Sequence, residues 1–197
     1  MEKFIKYSVF QTKWGYFGLA GTESALNRTQ LPWSKKENVE NRLLQNLTEF
    51  EHDKDYFKHL QEQIAAYFDG CLVEFGLDIP VSIDNLGQFG REVLNACRNV
   101  EFGQTITYSQ LATKSGRPAA GRAVGNTLAK NPLPLIIPCH RVVRTDGGIG
   151  GFTAPGGTDL KVRLLEHEQQ VSEKTQTNLY FQQTRKTPAH TAAYLSF

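Results

Sequence analysis

Leu135-Ile136-Ile137-Pro138-Cys139-His140-Arg141-Val142-Val143 is the stretch on which the reading of this chain turns. An apolar run delivers a cysteine and a histidine side by side and then resumes with two valines. β-Branched residues pack well on a pleated surface, so the run predicts buried, strand-like backbone. Pro138 has no N–H for a central ladder, which predicts that the strand ends or bulges there. Cys139 is therefore expected at the end of a buried element, shielded from bulk oxidants, with a potential base one residue away.

Working outward, residues from Asn85 follow a helical period, with Phe89, Val93, Ala96, Cys97 and Val100 on one side. Cys97 on that face reads as core filling. Thr107 can cap a short helix holding Tyr108 and Leu111. Gly116-Arg117-Pro118 then forces a turn, and a second helix is expected over 118–130. Two short helices about a glycine-containing turn make a helix-turn-helix. On the second helix Val124 and Leu128 form the inward ridge, while Ala119, Arg122, Asn126 and Lys130 lie opposite. Reading bases in a major groove takes several long polar side chains. A face lined by Ala119, Gly121, Ala123 and Gly125, with Arg122 as its single large projection, suits close approach to a minor groove. The same small residues also suit tight helix packing, and the pattern alone leaves both readings open.

Charge distribution says more than net charge, which is only +2. From Gln104 to Thr145 there is no Asp or Glu, whereas Lys114, Arg117, Arg122, Lys130, Arg141 and Arg144 are all basic. Such an excess is the footprint of a phosphate-binding face or of a plain solvated basic surface.

The N-terminal part reads as a small α+β unit. Tyr7-Ser8-Val9-Phe10 and Trp14-Gly15-Tyr16-Phe17-Gly18-Leu19-Ala20 suit strands joined by tight turns. Ser34 and Glu37 have capping-box spacing, and Val39, Leu43, Leu44 and Leu47 follow with helical period. A second helix is expected over 56–69, stopping at Gly70. Cys71, Val73, Phe75, Leu77, Ile79, Val81 and Ile83 then alternate as a strand with one apolar face, which places Cys71 in the packing. At the other end, glycines between residues 147 and 157 make a pliable loop, 159–169 reads as a closing helix, and the Thr/Gln-rich stretch from Val171 reads as a polar tail. The expected fold class is thus α+β: a small sheet-plus-helix domain (1–83), a mainly helical domain with a helix-turn-helix (84–170), and a tail (171–197).

Pro138-Cys139-His140-Arg141-Val142, preceded by Asn131-Pro132 and Pro134, resembles the active-site signature of the O6-alkylguanine-DNA alkyltransferases, the methylated-DNA-protein-cysteine methyltransferases. The likeness runs from Phe102 to Glu168 through Gly103, Thr107-Tyr108, Leu111-Ala112, Arg122-Ala123-Val124-Gly125 and Gly150-Gly151-Phe152-Thr153. An ordered set of motifs is far more specific than one pentapeptide. The resemblance implies irreversible, single-turnover transfer of an alkyl group from O6-alkylguanine, and also from O4-alkylthymine, in double-stranded DNA to Cys139. It assigns His140 as base and Glu168 as the carboxylate that orients it. Tyr108 would protonate the leaving guanine, Asn131 would brace the active-site turn, and Arg122 would fill the stack vacated by the extruded base. Ala119, Ala123, Arg117 and Lys130 would face DNA. Pro134, Val142 and Thr153 would form the base pocket, with the carbonyls of Cys139 and Val142 accepting from the guanine amino group. The chain departs from the commonest family pattern at Ala154-Pro155, and it lacks the N-terminal cysteines that hold zinc in some relatives.

Other classes fit less well. Neither a papain-like nor a caspase-like signature surrounds Cys139, and no second Cys/His pair stands at zinc-ligand spacing. A non-catalytic alkyltransferase-like binder of damaged DNA would lack the acceptor cysteine, and a transcriptional regulator would carry longer base-reading side chains. Three cysteines without a C-x-x-C pair argue against a disulfide framework and suit a reducing compartment. With no run of about 18 apolar residues and no signal-peptide pattern at Met1-Glu2-Lys3-Phe4, the expectation is a cytoplasmic monomer, nucleoid-associated if bacterial, with no membrane, metal or cofactor.

Overall fold

A computed structural model describes residues 4–186. Strands β1 (Ile5–Thr12), β2 (Gly15–Gly21) and β3 (Leu26–Trp33) form an antiparallel meander, and β4 (Phe50–His52) adds alongside β1 in parallel, giving the order β3-β2-β1-β4. Both faces of this sheet are covered. Ile5, Val9 and Ala20 pack against Val39 and Leu43 of α1 (Lys36–Leu43). Phe17, Leu19, Leu26 and Leu31 pack against Leu60, Ile64, Tyr67 and Phe68 of α2 (Lys58–Asp69). Double coverage explains why β2 reads as a nearly continuous apolar run. Helix α1 lacks the capping box expected at Ser34, since its N-cap is Lys35 and no side chain caps it.

Helix α2 stops at Gly70 as the sequence predicts, and Cys71 N returns to Ala66 O at 3.0 Å. The strand expected over 71–83 does not form. No neighbouring strand offers it a ladder. Arg98 Nη2 holds the carbonyls of Gly76 and Ile79 at 2.9 and 3.1 Å, and Glu74 Oε1 accepts from Phe102 N at 2.8 Å. Only a bridge from Val81 to Leu26 remains of sheet pairing. Phe75, Ile79 and Ile83 are buried, but Leu77 is 62% exposed and Cys71 is exposed, so Cys71 is not a packed residue.

The second half begins with α3 (Gln88–Arg98), which buries Val93, Leu94 and Cys97. The short strand β5 (Ile106–Thr107) leads into α4 (Tyr108–Lys114). Here the expected cap is found as a full capping box, with Gln110 N donating to Thr107 Oγ1 and Thr107 N to Gln110 Oε1. After the turn at Gly116, α5 spans Gly121–Leu128, shorter than the 118–130 anticipated, because Ala120 N closes a turn on Arg117 O. Ala119 therefore precedes the helix.

The decisive stretch is buried but not a strand. Three prolines between residues 132 and 138 remove N–H donors that a ladder would need. The chain instead turns, with Ile137 N donating to Leu133 O at 2.8 Å and Leu135 at positive φ. Cys139–Arg141 form one turn of 3-10 helix, after which β6 (Val142–Val143) pairs in parallel with β5. Helix α6 (Gly157–Lys186) closes the structure. It overturns the polar-tail reading for 171–186: Val171 is buried, Thr175 and Thr177 bond back to the carbonyls of Val171 and Glu173, and Gln169 bonds Glu173 one turn on. Residues 187–197 of that expected tail lie outside the described residues. One core runs through both halves, from Phe17 and Tyr67 to Ile137, Cys139 and Leu164.

Gly15 and Gly116 both have positive φ, but an ideal Cβ on Gly15 would stand 2.5 Å from Trp33 O, whereas one on Gly116 meets nothing within 4 Å. Gly116→Ala should cost about 1–2 kcal/mol, the left-handed penalty alone. Gly15→Ala should cost clearly more, because backbone must also move. Urea unfolding of the two variants checks this, and equal losses would contradict it.

Candidate active site and nucleic-acid interface

Cys139 sits where the 3-10 turn begins, 7% exposed. Asn131, just after α5, holds it in place. Its Nδ2 donates to Ile137 O at 2.9 Å and to Cys139 Sγ at 3.2 Å, while its Oδ1 accepts from Leu133 N at 3.0 Å. One side chain thus ties the proline-rich turn together and presents a donor to the sulfur. Burial pushes the thiol above its usual range, and the Asn131 hydrogen bond and the charge of Lys161 pull it back.

His140 faces the other way, into the core. Its Nε2 lies 2.8 Å from Glu168 Oε1, and both side chains are 1% exposed. Glu168 also receives Arg141 Nε at 2.9 Å, Arg141 Nη2 at 3.0 Å, the Tyr67 hydroxyl at 2.9 Å and Gly103 N at 3.0 Å. Burial alone would raise this carboxyl, yet His140 and Arg141 hold it well below the usual carboxylate range. It is ionised and accepts only, so His140 Nε2 must carry hydrogen. Burial lowers the imidazole below its usual value, outweighing the pull of a carboxylate that Arg141 already neutralises. His140 is therefore a neutral base with Nδ1 as its lone-pair nitrogen. Among the described residues no hydrogen bond joins it directly to Cys139.

Cys139 opens onto a cleft of about 700 Å³ that Tyr108, Arg122, Gly125, Phe152 and Thr153 also line. Burial, and then Cys139, raise the Tyr108 phenol. Thr153 donates its hydroxyl to Ala129 O at 2.9 Å. Pro134 lines a second, smaller groove that shares Cys139, Phe152 and Thr153 with the cleft. The Val142 side chain is fully buried. Its carbonyl accepts from Lys161 Nζ at 2.6 Å, and the Cys139 carbonyl accepts from Val142 N, so both carbonyls expected at guanine already hold one donor each.

The basic face divides. Lys114, Arg117, Ala119, Arg122, Ala123 and Lys130 are exposed, and Val124 and Leu128 are buried as the helical period requires. Arg141 is instead 3% exposed against Glu168, and Arg144 pairs with Asp146. Two of the six cations read as surface charge are thus already matched.

Two contributors lie outside the motifs, and Arg141, inside the Pro138–Val142 signature, belongs to the core and not to the basic surface. Tyr67 comes from α2. Lys161 is fully buried, with Nζ 5.7 Å from the centre of the Tyr108 ring, and burial lowers it. A signal for it exists: Lys161, Leu164, Glu168 and Val171 form one buried stripe of α6 at helical spacing. Among the described residues no group of His, Cys, Asp and Glu could hold a metal ion, and no helix is long and apolar enough to cross a membrane.

A family model described as the 6-O-methylguanine DNA methyltransferase DNA binding domain matches residues 88–170, and one described as the ribonuclease-like domain of the same methyltransferase matches 5–83. The methylated-DNA-protein-cysteine methyltransferase of Mus musculus is 36% identical over 172 residues, covering 83% of this chain and 81% of that protein. That of Methanosarcina acetivorans is 32% identical over 162 residues, covering 82% and 97%. The crystal structure of Mycobacterium tuberculosis OGT in complex with DNA superposes with a TM-score of 0.68 at 29% identity, covering 84% of this chain and 94% of that one. The fold of a four-stranded sheet followed by helices is thus shared with these proteins. The chain belongs to the 6-O-methylguanine DNA methyltransferase family.

Two measurements test the site. A lowered histidine contributes stability that is fully present above its unfolded value, about 6.5, and is lost as pH falls below it. The lowered Glu168 adds a second loss below about 4.3. Unfolding midpoints should therefore drop from pH 7 to 5, and His140→Gln should flatten that limb. An equally steep limb in the variant would show that another group is responsible. Asn131→Ala should slow alkylation of Cys139 by a small electrophile at neutral pH by about tenfold, the equivalent of one hydrogen bond, and move its pH profile upward. An unchanged profile would remove Asn131 from the thiol's environment.

Proposed function

We propose that this chain repairs O6-alkylguanine in duplex DNA by accepting the alkyl group on Cys139. The observation that carries the reading is the shielded thiol at the floor of a cleft that opens beside an exposed basic face, with a neutral imidazole next to it in sequence. The two short helices α4 and α5 about Gly116 serve as a helix-turn-helix, and the small face of α5 approaches the minor groove. Arg122 enters the stack in place of the extruded nucleotide. Extruding a base costs a few kcal/mol, which such a plug offsets.

In the transfer, His140 takes the Cys139 proton through a bridging water, because the imidazole makes no direct bond to sulfur. Glu168, already ionised, stabilises the imidazolium that forms. The thiolate attacks the alkyl carbon, the S–C bond forms as C–O breaks, and the electron pair stays on guanine. Tyr108 gives its hydroxyl proton to the departing base and recovers one through solvent from the imidazolium. The net change is one thiol hydrogen exchanged for one alkyl group.

A thioether offers neither a good leaving group nor a carbonyl for water, and neither the buried Cys97 nor the exposed Cys71 has a place in this route. Each molecule should therefore repair about one lesion, since the nucleophile itself is consumed. Incubation with duplex DNA carrying O6-methylguanine, followed by peptide mass analysis, should place one methyl group on the Cys139 peptide. Cys139→Ala should bind the duplex and leave the lesion intact. Repeated turnover, or transfer by Cys139→Ala, would overturn the reading.

A further inference from the structure

Beyond β6 the chain makes a self-closing turn that the transfer chemistry does not use. Arg144 N donates to Gly148 O at 2.8 Å, Gly147 N to Arg144 O at 3.2 Å, and Gly148 N to Asp146 Oδ1 at 3.0 Å. The Arg144 side chain folds back onto the same carboxylate as a two-pronged fork, with Nη2 2.6 Å from Oδ2 and Nε 3.1 Å from Oδ1. The fold-back depends on Gly148, because an ideal Cβ there would stand 3.2 Å from Arg144 Cδ and 3.0 Å from Asp146 Oδ1. Asp146 is thus anchored by backbone, and the long Arg144 side chain is the movable partner.

Location gives the pair its meaning. Arg144 and Asp146 line the same cleft as Tyr108, Arg122 and Cys139, and Asp146 is the one carboxylate among the described residues lining it. A carboxylate and a phosphate offer similar two-oxygen faces to a guanidinium. Both side chains are more than half exposed, at 61% and 58%, and exposed ion pairs part at little cost. A phosphate arriving in the cleft can therefore replace Asp146 without rebuilding the loop.

We propose that Asp146 is an internal stand-in for a DNA phosphate: it latches Arg144 in the free protein, yields it to a backbone phosphate beside the extruded nucleotide, and so holds down affinity for undamaged duplex. The proposal rests on the DNA-repair reading above and deepens it. An arginine so occupied adds little to weak encounters along intact DNA, where the exchange gains one phosphate and exposes one carboxylate. It adds more where the strand is already bent into the cleft and the phosphate is held in place.

The test uses the full chain and a short fluorescein-labelled undamaged duplex, followed by anisotropy over a salt series. Asp146→Asn keeps an oxygen for Gly148 N but loses the charge. It should bind severalfold more tightly, with a steeper log-log salt dependence. Arg144→Gln should bind this undamaged duplex little differently from the unsubstituted chain, while its slope should be shallower than that of Asp146→Asn by about one unit, the signature of the one phosphate contact that the released arginine makes. In the double variant the gain from Asp146→Asn should vanish, because no arginine remains to be released. An equal gain in the Arg144→Gln background would mean general repulsion and overturn the latch, as would no gain in Asp146→Asn. Failure of the unsubstituted chain to bind duplex at low salt would instead sink the repair reading itself.

Discussion

A single buried carboxylate sets the terms for the whole structure. Glu168 is 1% exposed and ionised, and taking such a charge out of water is tolerable only when donors surround it. They come from three separate places: Arg141 and His140 from the turn that carries Cys139, Tyr67 from α2, and the Gly103 backbone from the approach to β5. Removing one partner of a buried pair of this kind costs about 3–5 kcal/mol, because an uncompensated charge is left behind. His140 and Arg141 together hold the carboxylate ionised, while burial keeps the imidazole itself below its usual range. The arginine that looks like part of a DNA-facing charge run is a buried partner of that carboxylate.

Much of this was legible in the sequence where local chemistry decides the outcome. Gly70 ends α2, Thr107 caps α4, and Val124 and Leu128 point inward, because caps and helical period depend on near neighbours in the chain. Alternation over 71–83 predicts a strand that does not form, since alternation cannot say whether a partner strand exists. Here Arg98 occupies the carbonyls instead. The apolar run before Cys139 is buried as its composition predicts but not extended, because Pro132 and Pro134, as well as Pro138, lack the N–H that a ladder needs. The polar composition after Gln169 hid the rest of α6, where Val171 packs inward and hydroxyls bond along the helix.

Burial of charged residues was the least legible property. Arg141 and Lys161 look like surface residues by type, and only their partners in space reveal otherwise. Family likeness pointed to Glu168 and His140, but it could not supply Tyr67, which lies 101 positions before Glu168. The site's electrostatics thus join motif residues, Glu168, His140 and Arg141, to Tyr67 and Lys161, which lie outside the motifs.

The contact between Tyr67 and Glu168 also fixes an order of events in biosynthesis. Helix α6 follows the turn that carries Cys139 in the chain and so emerges from the ribosome after it. Until it docks, Arg141 and His140 lack their carboxylate, Val142 lacks the lysine that holds its carbonyl, and the apolar floor beneath Leu164 is open. A nascent chain therefore displays Cys139 as an ordinary thiol in a loosely held loop. Docking of α6 is what closes the carboxylate, the lysine and the apolar floor around the turn that carries Cys139.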